Sequence, residues 1–338
     1  MDFNLTEDQK LIQESARDFA NENLAPYALQ WDQAHGFPME VLEEMGEMGF
    51  MGMNLPEQYG GGGVDSISYC LAMIEIGRAE SSIAVTMGVN HLVCEVIKLY
   101  GSEEQKQKYL PVLTSGKGIG SFCLSEPQAG SDAQNQKTRA KLEGNEYVLN
   151  GKKAWITNGG FAHLFVVTAV TGEDSKGRKE ISAFIVDKGS KGLILGKPEH
   201  KMGQCASNTV EVTLDEVRVP VSHMIGGRNG FKVMMNGLNS GRIGVAAMCC
   251  GIAQASFDQA LDYAHERIAF GKPIHQLQAI QLKLAEMATA IEAAKLLTLK
   301  AAHLKDLEEN FISAASMAKL YASETCNRVA AEALQIHG

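Results

Sequence analysis

The sequence predicts an α+β protein of several domains, in which an N-terminal helical domain precedes a middle antiparallel β-domain and a C-terminal helical bundle. Apolar residues recur at spacings of three and four up to about residue 115, alternate between about 119 and 220, and return to helical spacing after residue 230. With 338 residues, of which 45% are hydrophobic and 21% charged, the chain can bury more than one core. We expect domains at residues 1–115, 116–225 and 226–338.

The N-terminal third carries clear helix-start signals. Thr6–Gln9 and Ser102–Gln105 have the spacing of capping boxes, in which a hydroxyl and a glutamine side chain satisfy each other's backbone N–H groups. Asp65 follows the glycine loop Gly60–Gly63 and can cap the next helix. The helix that starts after Ser102 is expected to end near Pro111, because proline interrupts helical hydrogen bonding.

The middle segment has the alternating pattern of short strands. Glu143-Gly-Asn145 and Asn150-Gly151 are typical of hairpin turns. We expect an antiparallel domain of sandwich or barrel type. The predicted strands are 119–124, 138–142, 147–149, 152–157, 163–170, 181–186, 193–195 and 209–219.

The C-terminal third returns to helical periodicity. Leu277–Leu304 and Phe311–Ile336 keep apolar residues at spacings of three and four. The chain shows no internal repeat and no low-complexity tract.

Composition argues against several classes of function. A net charge of −9 disfavours nucleic acid as the main partner. Seven cysteines without a CxxC spacing favour buried free thiols in a reducing compartment over disulfides or a metal site. Residues 1–4 do not read as a signal or transit peptide, and no apolar run is judged long enough to span a membrane. We expect a cytoplasmic protein.

Two motifs predict a site for a planar or phosphorylated ligand. An apolar strand runs into Ser125, and the turn Ala129–Asp132 follows with exposed N–H groups beside a hydroxyl, which suits a phosphate or an electron-rich ring edge. Trp155 and Thr157 are two positions apart, so in a strand their side chains share a face. A planar ligand could stack on the indole while the threonine bonds its edge. The alternative is an ordinary turn and a core tryptophan.

These motifs, in this order, closely resemble those of the acyl-CoA dehydrogenases, nearest the short-chain, butyryl-type branch. The resemblance to this family covers the whole chain and includes Leu5–Gln9, Pro56–Gly61, Leu238–Arg242, Glu266–Gly271 and Gln335–Gly338.

A nicotinamide site is disfavoured, because a strand and not a helix follows the glycines of Gly116–Gly120.

The resemblance implies a flavoenzyme. Such a protein would use FAD to oxidise the Cα–Cβ bond of a short- or medium-chain acyl-CoA to the trans-2-enoyl-CoA, and would pass the electrons to an electron-transferring flavoprotein. It also implies a homo-oligomer, most commonly a tetramer. An acyl-CoA dehydrogenation needs a base, a group that polarises the thioester carbonyl, and a flavin fixed against the reacting bond.

By this resemblance, two sets of residues bind FAD. The main-chain N–H groups of Leu124 and Ser125 would meet the pyrimidine edge, and Thr157 would reach N5. Arg267 and Gln278 would contact the diphosphate-adenosine arm of a neighbouring subunit's flavin, since a guanidinium pairs strongly with a pyrophosphate. The complete implied set is Phe122, Cys123, Leu124, Ser125, Ser131, Trp155, Ile156, Thr157, Arg267, Phe270, Gln278, Gln335 and Gly338.

The implied substrate contacts are Ser131, Asn239 and Arg242, the last holding the coenzyme A end at the head of a helix. Many relatives carry an aspartate where this chain has Asn239. An exposed arginine in an ordinary ion pair is the alternative for Arg242.

The expected base is a glutamate, and relatives place it at one of two positions. One is occupied here by Gly241, and the other lies in a segment beyond Gly338. We therefore expect the base beyond the end of this sequence and do not assign the role to Glu126. Two alternatives remain: a base-less homologue that binds flavin and acyl-CoA or catalyses another reaction such as an elimination, and, less favoured, a nucleic-acid-associated flavoprotein.

Overall fold

The computed structural model describes residues 4–338, and the expectation for the first three residues lies outside this range. Within it, six helices precede a block of eight strands, and three long helices follow. The predicted order of helical, β and helical parts is therefore confirmed. The domain bounds 1–115, 116–225 and 226–338 stay a prediction.

The helices before the sheet begin where the capping signals predict. In each capping box the two bonds are present: Gln9 N–H donates to Thr6 Oγ1 (3.2 Å), Thr6 N–H donates to Gln9 Oε1 (3.0 Å), and the second box matches them. Asp65 accepts from Ser68 N–H at 2.6 Å. These helices are α1 Glu7–Phe19, α2 Ala28–Ala34, α3 Glu40–Glu47, α4 Ser66–Ala79, α5 Ser81–Tyr100 and α6 Glu103–Thr114.

The predicted end of α6 near Pro111 is wrong, because the helix continues to Thr114. Proline removes only its own N–H, and the Pro111 carbonyl still accepts from Ser115 N–H at 3.2 Å. Leu113 is fully buried, so packing of the last turn offsets the lost bond.

The middle of the chain forms one mixed sheet. The strands are β1 Gly120–Cys123, β2 Arg139–Glu143, β3 Glu146–Thr157, β4 Leu164–Glu173, β5 Lys179–Asp187, β6 Leu193–Leu195, β7 Thr209–Pro220 and β8 Met224–Ile225. Their order in the sheet is β6-β7-β3-β2-β4-β5-β8, and β1 pairs with β4 in parallel while most neighbours are antiparallel.

The predicted hairpin at Asn150-Gly151 is wrong, whereas the turn between β2 and β3 is present. Both residues lie within the continuous strand β3. A Cβ at Gly151 would lie 2.6 Å from the Thr138 Cα, so glycine here permits close approach of the neighbouring chain and not a reversal. The Asn150 side chain instead accepts from the N–H of Glu216, a residue at φ 53° in an irregular part of β7.

After the sheet come α7 Gly230–Glu266, the hairpin β9 Ile268–Ala269 and β10 Lys272–Pro273, α8 Gln278–Asp306 and α9 Ile312–His337. The last two helices lie within a residue or two of the predicted ranges.

The described chain forms two compact units. The first unit comprises residues up to Leu29, Val64–Val85 and Arg242–Gly338, and the second comprises Gln30–Gly63 and Thr86–Gly241. In the second unit, both faces of the sheet are buried. Phe165 and its neighbours pack among strand residues on one face, and Val166 packs against residues of α5, α6 and α7 on the other.

One helix in the described range, α5, is long and apolar enough to cross a membrane by length and composition, which differs from the expectation that no such run exists. In the structure 72% of its apolar window is buried, as in a core helix.

Candidate functional site

The end of β1 places alternate side chains on opposite faces of the sheet. Cys123 is fully buried among the strand residues, and burial raises the pKa of its thiol to about 12. Phe122 and Leu124 point to the other face, against the helix-side core. Since the Cys123 side chain is enclosed, any contact it makes with a ligand runs through its backbone. Ser125 follows and is half-buried.

The chain then closes a small loop at Glu126 and Ala129, which exchange both backbone hydrogen bonds (3.2 and 3.0 Å). Beyond it, Ser131 and Asp132 are exposed, as a ligand-facing turn requires. The chain bends at Gly130–Asp132, and hydrogen-bonded turns lie on either side, at Pro127–Gln128 and Ala133–Gln134. The row of exposed N–H groups expected at Ala129–Asp132 stays a prediction.

Glu126 is enclosed by donors. Its carboxylate accepts from the N–H groups of Lys137 (2.7 Å) and Thr138 (3.1 Å), from the Gln128 amide (2.7 Å) and from the Lys153 ammonium (2.9 Å). Burial would raise its pKa, but Lys153 and the N–H donors outweigh burial and lower the pKa to about 2. A carboxylate held in this way is a poor proton acceptor at neutral pH, which supports leaving Glu126 out of the role of base.

Lys153 was missed by the sequence reasoning. It is fully buried, and its Nζ donates to the Leu124 carbonyl (3.2 Å), Glu126 (2.9 Å), Gln136 (3.0 Å) and Thr168 (3.2 Å). The sequence does carry a signal for a buried lysine: Lys152 and Lys153 are adjacent in an alternating strand, so one of the two side chains must face inward.

Trp155 lies in a β-bulge. The register of β3 against β7 shifts between Lys153 and Ile156, and Trp155 has φ 63°. The indole is 67% exposed, Thr157 is half-buried and Ile156 is buried at 1%. The bulge interrupts the regular alternation of inward and outward side chains, yet the side chains of Trp155 and Thr157 both reach the surface. The exposure excludes a core role for Trp155.

The Trp155 segment is bonded directly to β1 and to Ser125, two residues beyond its end. Ala154 N–H donates to the Ser125 carbonyl (3.0 Å), and Ser121 Oγ donates to the Thr157 carbonyl (2.9 Å). The buried Asn158 side chain donates to the carbonyls of Thr86 (3.2 Å) and Gly120 (3.3 Å). These bonds bring Phe122–Ser125 and Trp155–Thr157 together within the second unit.

A second group of predicted residues lies in the first unit, at the hairpin between α7 and α8. Arg267 is exposed, and Phe270 is 90% exposed at φ 52° in the turn of the hairpin. Gln278 is exposed at the first position of α8. Gln335 and Gly338 are exposed at the end of α9.

The end of α9 packs near this hairpin. The rings of Tyr263 and His337 stack at a centroid distance of 4.5 Å, and Ile336 shares a core with Ile274. The structure therefore brings the α9 end and the hairpin together, as the implied shared role of Arg267 and Gln335 requires.

The predicted substrate residues Asn239 and Arg242 lie within α7, about three turns beyond Gly230, so placing Arg242 at the head of a helix is wrong. Their spacing of three puts them on one side of the helix, and both are half-buried. A Cβ at Gly241 would lie 3.0 Å from Leu92 Cδ1. A side chain there would require the flexible end of that leucine to move.

Another polar feature is a cleft of about 460 Å³ in the first unit. It is lined by ion-paired side chains, among them Arg17 with Glu75 (2.8 Å) and Arg78 with Asp258 (3.2 Å), and by none of the predicted site residues. Among the described residues no group of three or more His, Cys, Asp or Glu side chains could hold a metal ion.

Three family models match this chain: the N-terminal domain of the acyl-CoA dehydrogenases over residues 6–117, the middle domain over 121–217 and the C-terminal domain over 228–338. The chain belongs to the acyl-CoA dehydrogenase family. This confirms the predicted family and fold and, at the level of the family, an oxidoreductase that uses FAD.

Individual relatives agree. The chain is 47% identical over 345 residues to a probable acyl-CoA dehydrogenase of Bacillus subtilis, covering 100% of this chain and 90% of the relative. It is similar to the butyryl-CoA dehydrogenase of Megasphaera elsdenii (TM-score 0.97, 41% identity, 100% and 90% covered). It also matches a chain in a structure described as the electron transferring flavoprotein of Acidaminococcus fermentans (TM-score 0.97, 44% identity, 100% and 89% covered).

Proposed function

We propose that this protein oxidises the Cα–Cβ bond of a short- or medium-chain acyl-CoA to the trans-2-enoyl-CoA, uses FAD, and passes the electrons to an electron-transferring flavoprotein. The observation that carries the proposal is the exposed Trp155 bulge, whose segment is bonded to Ser121 in β1 and to Ser125 just beyond β1. Two backbone segments with a large exposed indole suit a planar ring system.

The residues present fit an isoalloxazine. Trp155 offers an aromatic face, Thr157 a hydroxyl, and Leu124 and Ser125 backbone at the end of a strand that pairs on one side with β4. When bound, FAD supplies the acceptor for the β-hydride. Cys123 and Ile156 belong to the proposed set through their backbones, because their side chains are buried.

The residues of the first unit are proposed to serve a neighbouring subunit's flavin. Arg267, Phe270 and Gln278 are exposed around one hairpin, and Gln335 and Gly338 are exposed at the end of the helix that packs near it. An exposed guanidinium suits a pyrophosphate. This role requires a homo-oligomer, and we propose the tetramer.

The substrate is proposed to contact Ser131, Asn239 and Arg242. A half-buried arginine suits the phosphates of coenzyme A. Asn239, where many relatives have aspartate, offers a neutral hydrogen-bonding group. The free thiols of the structure support a reducing compartment, and we propose the cytoplasm.

We do not assign the base to any residue between 4 and 338. Glu126 is buried and ion-paired, and Gly241 stands where part of the family has its glutamate. By the resemblance, family members with glycine at this position carry the glutamate in a later Tyr-Glu-Gly-Thr type segment, and we propose a glutamate of that segment as the base. The base-less homologue is the second candidate, favoured by the same two observations.

The first experiment is reconstitution of the purified protein with FAD, followed by anaerobic addition of butyryl-CoA. We expect a bound flavin whose absorbance is perturbed by acyl-CoA. Bleaching of the flavin should be slow if none of residues 4–338 acts as the base, since a missing base costs roughly 10²–10⁴ in rate.

Gly241→Glu supplies a carboxylate at the family's other position and tests the second half of the proposal. It should speed flavin bleaching, and Gly241→Gln is the matched neutral control. Folded protein that does not retain FAD would contradict the proposed function, and rapid bleaching by residues 1–338 without the substitution would show that the base lies elsewhere in this chain.

A further inference from the structure

Lys153 is one of the largest fully buried side chains among the described residues and the only charged one of that set. An ammonium in a protein interior is costly unless its three donors find acceptors and a counter-charge. Here four oxygens lie within 3.2 Å of Nζ, and one of them belongs to the Glu126 carboxylate. The surroundings of Nζ therefore stabilise its positive charge, and packing alone does not explain why a charged residue lies here.

The four acceptors come from separate segments. The Leu124 carbonyl belongs to the residue that follows β1, Glu126 starts the small loop, Gln136 lies in the segment between that loop and β2, and Thr168 lies on β4. Glu126 extends this connection, because its carboxylate also accepts from the N–H groups of Lys137 and Thr138, directly before β2. One ammonium thus ties together the end of β1, the start of the small loop, the segment before β2 and the strand β4.

Lys153 also directly precedes the bulge that presents Trp155. A left-handed backbone is disfavoured for a bulky residue, so φ 63° at Trp155 must be imposed by its surroundings. Lys153 is anchored on one side of the bulge and the buried Asn158 on the other, while Ala154 N–H is bonded to the Ser125 carbonyl. Release of the lysine would free one side of the strained segment.

We propose that Lys153 is a positioning residue for the flavin: its buried ammonium holds the Trp155 bulge and the strand end at Leu124–Ser125 in one fixed arrangement. This rests on the proposed function, which places the isoalloxazine between these two segments. Lys153 itself touches neither cofactor nor substrate in this proposal; it acts through the backbone it holds.

The test uses FAD itself as the probe and binding as the readout. Lys153→Met keeps the length of the side chain and removes its charge and donors. We expect at least about a tenfold higher dissociation constant for FAD and a weaker visible circular dichroism of the bound flavin, because the ring is less well ordered. Lys152→Met is the matched control: Lys152 is the next residue, is mostly exposed and pairs with Glu211 at the surface (3.1 Å), and the affinity should stay within about twofold.

The double variant Lys153→Met/Glu126→Gln, which removes both buried charges, distinguishes a role in flavin positioning from a role in stability alone. It should regain stability relative to Lys153→Met but keep the weak FAD binding and the weak dichroism. Thr168→Val removes one neutral acceptor of the ammonium and is the milder probe if Lys153→Met does not fold; it should shift the affinity in the same direction by less.

The outcomes separate the two proposals. Failure of the unaltered protein to bind FAD overturns both. Normal FAD binding by the unaltered protein together with unchanged affinity and dichroism in Lys153→Met overturns the role of Lys153 alone. Recovery of both FAD affinity and dichroism in the double variant also overturns the role of Lys153. If Lys153→Met is unfolded, unchanged FAD binding in Thr168→Val overturns that role.

Discussion

Two buried carboxylates in this protein pair with cations in different ways. In the second unit, both Glu126 and its partner Lys153 are enclosed, with side-chain exposures of 2% and 0%. In the first unit, Glu75 is also enclosed, but its partner Arg17 is 48% exposed at the edge of the polar cleft. The first pair is sealed from water and fixed by several segments; the second remains open to solvent.

From this comparison we expect that burial of the cation, more than the presence of an ion pair, decides how tightly a segment is held. A solvated guanidinium can exchange its partner for water at little cost, whereas a buried ammonium cannot. The sealed pair lies beside the strained bulge and the proposed flavin-binding backbone, while the open pair lies at a cleft that is lined by none of the predicted site residues. Four predictions test this difference.

The largest effect is expected from Lys153→Met. It leaves the Glu126 carboxylate buried without its counter-charge, and we expect a loss of about 3–5 kcal/mol in the free energy of unfolding. Urea denaturation of the apoprotein measures it. Double variants with Glu126→Gln should lose less than Lys153→Met, and a loss below about 1 kcal/mol in the single variant would show that the sealed pair resembles a surface pair.

The acid side of the stability profile should depend on Glu126. Its pKa is lowered from 4.5 to about 2 in the folded protein, so its stabilisation is complete above about pH 4.5 and is lost as the pH falls towards 2. Glu126→Gln should therefore be less stable at neutral pH but show a shallower fall between pH 5 and the lowest pH at which both proteins fold. Urea midpoints at stepped pH provide the measurement; parallel curves for the two proteins would contradict the assigned pKa.

Trp155→Gly should separate strain from ligand binding. Glycine accepts φ 63° without a Cβ penalty, so we expect the apoprotein to keep its stability or gain up to about 1 kcal/mol, while FAD binding weakens because the indole is lost. Trp155→Ala retains the Cβ and is the control, with weak FAD binding and no gain. A clear loss of apoprotein stability in Trp155→Gly would mean that the bulge is not strained.

The smallest effect is expected from Arg17→Met. The exposed guanidinium is one of several donors to Glu75, which also accepts from Gln13 (2.8 Å) and pairs with Arg78 (3.6 Å). We expect a loss of at most about 1 kcal/mol in urea denaturation, reduced further by salt. A loss as large as that of Lys153→Met would erase the contrast between the sealed and the open pair.

Local chemistry determined much of this fold from the sequence alone. The capping boxes at Thr6 and Ser102 and the cap at Asp65 form as predicted, because each is a contact between residues three apart. The order of helical, β and helical parts follows from hydrophobic period, which depends on near neighbours. The motifs around Ser125 and Trp155 identified the family for the same reason: they are short and ordered along the chain.

Contacts between distant segments decided the rest. Asn150-Gly151 has the composition of a turn, but the close approach of Thr138 and the pairing with β7 keep it within a strand. In the sequence, Trp155 is equally compatible with a core residue, and only the bulge in the structure shows that it is exposed. Nothing local distinguishes Lys153 from Lys152. The inward lysine is identified by acceptors located between 15 and 29 residues away, since the free energy that keeps an ammonium buried comes from partners that the fold alone brings together.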